Sequence, residues 1–157
     1  VQKAINNQIQ AEMFSAHLYL AMAGYTEGQN LKGFANWLRV QYQEETAHAF
    51  KFIDYLLSRG GKLELKAIDA PPVEFGTPVE LFQKVLSHEQ HVTDLINKLY
   101  EVAVAEKDLA TQIFLQWFVT EQIEEEASAT EILEKLKLIP EKSGALFYMD
   151  KELGKRA

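Results

Sequence analysis

Glu45 and His48 stand three residues apart in the sequence QEETAHAF (residues 43–50), where their side chains could hold a metal ion. The surrounding segment, LKGFANWLRVQYQEETAHAFKFIDYLL, has apolar residues at the spacing of an α-helix. Side chains at i and i+3 of a helix share one face and lie about 5–6 Å apart, so both can reach the same ion. Both residues fall on the apolar stripe, which predicts that this acid and this imidazole face the protein core.

Three further segments with helical spacing carry a carboxylate on their apolar stripes. The acids are Glu12 in the first segment, Glu89 in the third and Glu125 in the fourth, where Gln122 lies on the same stripe three residues earlier. Glu12 and Glu45 are 33 residues apart, as are Glu89 and Gln122, and each pair is centred near a polar turn. Residues equidistant from the turn of an antiparallel hairpin face each other, so the two halves of the chain repeat one arrangement. The spacing predicts that these polar side chains lie at one level of a helix bundle.

Carboxylates buried together at one level would repel one another unless protons or cations neutralised them. Burying even one unpaired carboxylate costs several kcal/mol. No Lys or Arg falls on these stripes near that level. Two divalent or trivalent cations bridged by a carboxylate would neutralise the group. An oxygen-rich site with one imidazole suits iron or manganese, and zinc remains open.

Each motif also has a simpler interpretation. Glu45 and His48 alone would read as a mutually satisfied buried pair. The EEE run at 124–126 would be a solvated helix face, and His17 or His91 would be surface residues. The matched positions of acids on all four segments favour a metal site over these interpretations, because no basic residue is left to pair with them.

The elements that must position these residues are predicted to be α-helices, giving an all-α fold and one domain over residues 1–157. We expect Asn30 to cap the second helix, and Thr77 with Pro78 to begin the third. The predicted helices cover residues 2–26, 31–59, 78–104, 108–138 and 143–153.

A long connection, GGKLELKAIDAPPVEFG, joins the second and third helices. Connections between antiparallel neighbours in bundles usually have about 2–8 residues. At about 3.3 Å per residue, this connection can run the length of a bundle. The sequence therefore predicts a four-helix bundle with one long crossover between its second and third helices, and a short fifth C-terminal helix after Pro140.

Composition excludes several function classes. The chain contains no Cys, which excludes a thiolate nucleophile and a Cys-based zinc or iron–sulfur site. The net charge of -7 argues against a nucleic-acid partner, because phosphate binding needs clustered Lys and Arg. The chain has neither an apolar run of about 18 residues nor the pattern of a signal peptide at its start, so we expect no membrane partner and a cytoplasmic location.

The chain resembles the bacterial non-haem ferritins over essentially its whole length. The resemblance is carried by QAEMFSAHLYL around Glu12, QEETAHAF, HEQ at 88–90, FLQWFVTEQIEEE at 114–126 and FYMDKEL at 147–153. It implies a ferritin-like bundle whose subunits oxidise Fe(II), with dioxygen or hydrogen peroxide as the oxidant. It also implies that the subunits form a 24-subunit shell, in which the iron is stored as a ferric mineral.

The same resemblance implies the iron ligands. The first iron would be held by Glu12, Glu45 and His48, and Glu45 would bridge to a second iron held also by Glu89 and Glu125. Gln122 would lie beside the two irons, and Tyr19 would act as a one-electron donor. The ligands of a third iron position would be Glu44, Glu121, Glu124 and Glu125.

Departures from related families limit the expected cofactors. Haem-binding relatives have a Met ligand after the bridging Glu, where this chain has Thr46, and they repeat Glu-x-x-His where this chain has Gln122-x-x-Glu125. We therefore expect no haem. Two alternatives stay open: a di-metal carboxylate peroxidase, catalase or oxygenase, and a non-catalytic helical bundle that buffers metal.

Overall fold

The computed structural model describes residues 1–140 and 143–157, and within these residues it contains five α-helices and no β-strand. The predicted helix bounds differ from the observed ones by at most two residues. The all-α class and the bundle of four long helices with a short fifth helix are confirmed. The helices are α1 (Gln2–Gly28), α2 (Lys32–Ser58), α3 (Pro78–Ala105), α4 (Leu109–Lys137) and α5 (Ala145–Leu153).

The connection between α2 and α3 runs the length of the bundle beside α1. At its start, the Asn6 side chain donates to the Lys62 carbonyl (3.0 Å) and accepts from the Glu64 N–H (2.8 Å). At its end, the Tyr25 hydroxyl donates to the Gly76 carbonyl (2.7 Å). Because the connection passes from the beginning of α1 to its end, α3 starts beside the end of α1 and runs parallel to α2. The predicted crossover is confirmed.

The core consists of two hydrophobic clusters separated by a buried polar layer. One cluster includes Tyr19, Phe34 and Phe82, and the other includes Ile9 and Phe52. On each long helix, the two clusters occupy different turns, and the buried acids fall between them along the chain. Hydrophobic packing on both sides therefore holds the polar layer at a fixed level.

The helix ends follow local capping rules at two of the long helices. Thr77 and Glu80 form a reciprocal capping box at the start of α3, with Pro78 in its first turn, as predicted for Thr77 and Pro78. Asp108 accepts from the Thr111 N–H (3.1 Å) at the start of α4. None of the helices that the structure describes is long and apolar enough to cross a membrane.

The predicted cap of α2 is wrong. The residue at the cap position is Leu31, whose side chain cannot accept a hydrogen bond, and Asn30 lies in the preceding turn. Asn30 has a φ of 60°, a left-handed conformation that Asn tolerates better than most residues. Asn30 therefore reverses the chain between α1 and α2 instead of capping α2.

The missing cap is supplied by α5. Asp150 accepts from the Phe34 N–H (2.9 Å) through its carboxylate, so an acid from another helix satisfies the first turn of α2. The two helices approach closely at Gly33, where a Cβ atom would lie 1.6 Å from the Asp150 carbonyl oxygen. The absence of a side chain at residue 33 is therefore a condition for docking α5.

Gly33→Ala should destabilise the protein by about 1–3 kcal/mol through overpacking and loss of the Asp150 cap, and lower the Tm by several degrees. Thermal unfolding measured by circular dichroism tests this expectation. Gly24→Ala is the matched control, because Gly24 lies within α1 and a Cβ there would meet nothing within 4 Å. It should stabilise the helix by up to about 1 kcal/mol. Equal Tm shifts in the two variants would contradict the proposed docking contact.

Candidate metal centre

The polar layer of the bundle consists of the side chains that interrupt the apolar stripes. Two of these residues come from α2, two from α4 and one each from α1 and α3. Their exposed fractions are 1% for Glu12, 2% for Glu45, 5% for His48, 1% for Glu89, 3% for Gln122 and 7% for Glu125. Six polar residues from four helices are therefore withdrawn from water at one level.

Residues predicted to face each other across the helix hairpins are in contact. The Gln122 amide donates to the Glu89 carboxylate (3.2 Å) and to the Glu89 carbonyl (3.1 Å) across the hairpin of α3 and α4. In the hairpin of α1 and α2, Glu12 and Glu45 each offer a ligand atom within 4.8 Å of the other, and His48 Nδ1 lies 3.9 Å from Glu12 Oε2. The equal spacing in the sequence thus corresponds to equal height in the bundle.

The acids and the imidazole form two ligand groups that share one residue. Glu12, Glu45 and His48 each offer a ligand atom within 4.8 Å of the others. Glu45, Glu89 and Glu125 form a second group with the same limit. Both groups are fully buried, and Glu45 belongs to both. This geometry can hold two cations side by side with one carboxylate between them.

Three of the four acids have strongly raised pKa values. Burial and the Glu45 charge raise the pKa of Glu89 to about 8. Burial and the charges of Glu89 and Glu45 raise the pKa of Glu125 to about 9. Burial and the Glu45 charge likewise raise the pKa of Glu12 well above its usual value. The Glu89 and Glu125 carboxyl groups therefore hold protons at neutral pH in the metal-free protein, and an entering cation must displace them.

Glu45 differs from its neighbours because it stays ionised. Burial would raise its pKa, but the hydrogen bond and charge of His48, together with hydrogen bonds to Glu12 and Gln41, outweigh burial and lower it. The atoms joined by this hydrogen bond, His48 Nδ1 and Glu45 Oε2, lie 3.2 Å apart. In return, Glu45 raises the pKa of His48 against the effect of burial. The shared acid is thus the centre of negative charge in the layer.

The donors in the layer do not satisfy all of its oxygen atoms. Among the residues that the structure describes, His48 is the only basic side chain within 4.0 Å of the buried acids. Glu12 Oε2 and Gln41 Oε1 are buried and have no hydrogen-bond partner. Buried polar atoms are normally paired, so unpaired oxygen atoms in a ring of carboxylates fit a site that binds cations.

Two glutamines that were not predicted as site residues orient the acids. Gln41 Nε2 donates to Glu45 Oε1 (2.9 Å) and to Glu125 Oε2 (2.8 Å). Gln8 Nε2 donates to Glu12 Oε1 (3.0 Å). Each glutamine precedes its acid by four residues on the same helix, and this spacing is the signal that could have identified them.

Gln41→Leu should weaken anaerobic Fe(II) binding about tenfold, because residues that orient metal ligands typically contribute this much. The change leaves Glu45 and Glu125 without their shared donor. Calorimetric titration of Fe(II) without oxygen measures the effect. Gln43→Leu, at an exposed position of the same helix, is the control and should bind as the wild type does. Equal affinities in both variants would contradict the role of Gln41.

Tyr19 lies directly against the second ligand group. It is fully buried, and its hydroxyl donates a short hydrogen bond to Glu89 Oε1. Burial, followed by the charge of Glu89, raises the pKa of this phenol well above its usual value. Tyr19 therefore keeps its proton and helps to orient a candidate ligand.

The structure brings together only part of the predicted third group. Glu121 joins His48 and Glu125 in a set with one ligand atom each within 4.8 Å. Glu44 and Glu124 belong to none of the sets found in the described part of the chain. Glu44 is instead paired with Arg156, its Oε2 lying 2.8 Å from Nη2. Sequence reasoning did not anticipate this pairing.

Comparisons with known proteins agree with this geometry. A protein of Bacteroides fragilis (strain 638R) named bacterial non-heme ferritin is 47% identical over 156 residues, which are 99% of this chain and 97% of that protein. A Staphylococcus aureus (strain MRSA252) protein of the same name is 42% identical over 154 residues, 98% of this chain and 93% of that one. The crystal structure of an open pore ferritin from the archaeon Archaeoglobus fulgidus matches with a TM-score of 0.97 at 52% identity, covering 99% of this chain and 94% of that chain.

The protein family described as "Ferritin-like domain" matches residues 2–139 of this chain. These residues include all four long helices and the whole polar layer. The resemblance to the bacterial non-haem ferritins is confirmed by the curated relatives. The chain belongs to the ferritin-like domain family.

Proposed function

We propose that this chain is the subunit of an iron store that oxidises Fe(II) at a pair of metal positions within each subunit and retains the Fe(III) as a mineral. The observation that carries the proposal is the pair of buried ligand groups joined by Glu45. A helix bundle stabilised only by packing would place apolar residues at this level. Iron is the proposed metal because the relatives of this chain are named ferritins.

The proposed ligands follow from the two groups. Glu12, Glu45 and His48 would bind the first Fe(II), and Glu45, Glu89 and Glu125 the second. Gln122 would hold Glu89 in place from the facing helix. As the ions enter, the protons on Glu12, Glu89 and Glu125 would leave, so that each carboxylate donates to iron as an anion.

The reaction requires an acceptor for one electron from each iron. Dioxygen would take two electrons and two protons to give hydrogen peroxide, or hydrogen peroxide would take the same number to give water. Reduction of dioxygen to water would take two electrons more than the pair of irons supplies; we propose that Tyr19, next to Glu89, gives one of them together with its hydroxyl proton, and that a third Fe(II) gives the other. The ligands are mostly hard oxygen atoms, which suit ferric iron, and the site holds only one imidazole.

A third iron position is proposed beside this pair. Glu121 and Glu125 offer ligand atoms within 4.8 Å of each other and of His48, and Glu44 and Glu124 would join these two acids as ligands. Burial raises the pKa of Glu121, the charge of His48 opposes this rise, and the charges of Glu124 and Glu44 add to it. The acidic run at 124–126, in which Glu124 is exposed and Glu125 is buried, would then serve as an exit for oxidised iron.

Storage also requires an enclosed volume, which we propose is a shell of 24 identical subunits in the cytoplasm. Large apolar side chains near α5 support contacts between subunits: Leu138 is 84% exposed, Phe147 72% and Tyr148 76%. The net charge of -7 favours the approach of cations and disfavours nucleic acid as a partner. No haem, nucleic acid or membrane is needed for this function.

One experiment separates the store from its alternatives. Fe(II) is added to the metal-free protein without oxygen, air is then admitted, and oxidation, particle mass and iron retained per subunit are recorded together. A store oxidises the iron and keeps many ions per subunit in a large particle. Oxidation without retention would indicate a di-metal enzyme, and binding without oxidation would indicate a metal buffer. Either of those outcomes would refute the proposed function.

A further inference from the structure

The segment that follows α5 places a guanidinium group beside the proposed iron positions. Arg156 Nη2 donates to Glu44 Oε2 (2.8 Å), and Nη1 donates to the Trp37 carbonyl (3.1 Å). The guanidinium carbon lies 4.4 Å from the centre of the Trp37 ring, a cation–π contact. The side chain of Arg156 therefore lies along α2 and ends on an acid adjacent in sequence to Glu45.

This position is fixed by the packing of α5 on α2. Asp150 caps the first turn of α2, and the approach at Gly33 leaves no space between the two helices. The Asn36 amide donates to the carbonyl of Arg156 (2.9 Å). Hydrogen bonds hold both the backbone and the side chain of Arg156. Its guanidinium group therefore has a fixed position beside Glu44.

Glu44 lies four residues before His48 on the same face of α2, but its carboxylate pairs with Arg156 and it is absent from the third ligand group. The group of His48, Glu121 and Glu125 forms without Glu44, whose carboxylate binds Arg156. Burial raises the pKa of both Glu121 and Glu125, and the charge of Glu44 adds to this effect on each. Because side chains at i and i+4 of a helix lie about 5–6 Å apart, rotation of the Glu44 side chain would bring its carboxylate toward the group that contains His48.

We propose that Arg156 is a positioning residue that holds the Glu44 carboxylate away from the third iron position. The contact between Arg156 and Glu44 thereby weakens metal binding at this position. The inference rests on the proposed function, because it assigns Glu44 to that position. An ion binding there must break the contact with Arg156 before Glu44 can become a ligand. The segment after α5 thereby weakens the binding of the third ion, which favours its onward movement.

The contact is partly exposed, with 22% of the Arg156 side chain and 41% of the Glu44 side chain accessible to water, so its expected effect is moderate. Arg156→Gln, which removes the charge, should tighten binding of the third ion about two- to fivefold. Arg156→Lys keeps the charge and should stay near the wild type. Glu44→Gln should weaken the binding of the third ion. The double variant with Arg156→Gln should bind this ion no more tightly than Glu44→Gln alone.

Calorimetric titration of the metal-free protein with Fe(II), without oxygen, gives the number of ions and the affinity of each. Lys155→Gln is the matched control, since it removes one positive charge from the same segment, and Lys155 pairs with Glu152 (2.8 Å). An equal gain in Lys155→Gln, or an isotherm unchanged by Arg156→Gln, would overturn the inference. If the wild type binds only two ions, binding of a third ion by Arg156→Gln would support the inference. Binding of only two ions by both proteins would oppose it.

The proposed function is judged separately in the same samples. Admitting air after the titration shows whether the wild type oxidises iron, whatever the effect of Arg156. Failure to oxidise would remove the proposed function, whereas normal oxidation with identical isotherms would remove only the role of Arg156. Tm measurements on Arg156→Gln and Arg156→Lys confirm that the docking of α5 survives in the variants being compared.

Discussion

Glu45→Ala should lower the initial rate of Fe(II) oxidation by at least about a hundredfold, because Glu45 is the one residue shared by both ligand groups. Its loss leaves the first group with Glu12 and His48 and the second with Glu89 and Glu125. It also removes the acid that is ionised in the metal-free protein, and with it the negative charge that attracts the first cation. Stopped-flow absorbance of Fe(III) after rapid mixing with Fe(II) in air measures the rate.

Two further variants make this test specific. Glu45→Gln keeps the size of the side chain and one oxygen, so its rate should fall nearly as far if charge and bridging are what matter. Asp54→Asn makes the same charge change at an exposed position of α2 and should leave the rate unchanged. A Glu45→Ala protein with the wild-type Tm and the wild-type oxidation rate would refute the proposed centre.

Much of the centre was predictable because helical packing ties sequence spacing to height. A helix advances by a constant rise per residue, so acids at equal distances from a turn must come to one level once the hairpin closes. This constraint is enough to bring Glu89 and Gln122 into contact and to bury Glu12 opposite His48. The long crossover was predictable for a similar reason, since its length exceeded what a short turn requires.

The features that were not predicted depend on contacts between distant residues, which no periodic pattern in the sequence indicates. The cap of α2 comes from Asp150, more than a hundred residues away, and nothing near Asn30 in the sequence indicates it. The pairing of Glu44 with Arg156 depends on how α5 docks after Pro140, which no repeat or stripe specifies. The stripes carry no Lys or Arg near the polar layer, and Arg156 reaches the edge of the site from outside the bundle.

The stability of the metal-free protein should fall by several kcal/mol as pH rises from about 6 to 9. In an unfolded chain these glutamates titrate near pH 4.3. In the folded protein the pKa is about 8 for Glu89 and about 9 for Glu125, and that of Glu12 is also raised. Between these limits the folded state holds protons that the unfolded state has released, so stability falls with pH by about 1.4 kcal/mol per pH unit for each such proton.

The other two titrating groups in the layer do not reverse this sign. His48 has a raised pKa, so the stability it contributes is also lost as pH rises through that value. Glu45 has a lowered pKa, and its contribution is lost only when pH falls toward that value, below the range considered. Calorimetric Tm values at fixed protein concentration, with a chelator present, should therefore decrease steadily from pH 6 to 9.

A bound cation should remove this dependence, because it takes the place of the protons. With saturating Zn²⁺, which air does not oxidise, the carboxylates are ionised in the folded protein across the whole range, and Tm should be higher and nearly constant. Glu89→Gln cannot ionise, so the metal-free variant should be more stable than the wild type near pH 9 and lose less stability with pH. Glu101→Gln, at an exposed position of the same helix, should retain the wild-type slope. A metal-free wild type whose Tm stays flat or rises over this range would mean that the buried acids are already neutralised within the protein, which leaves no electrostatic reason for them to collect iron.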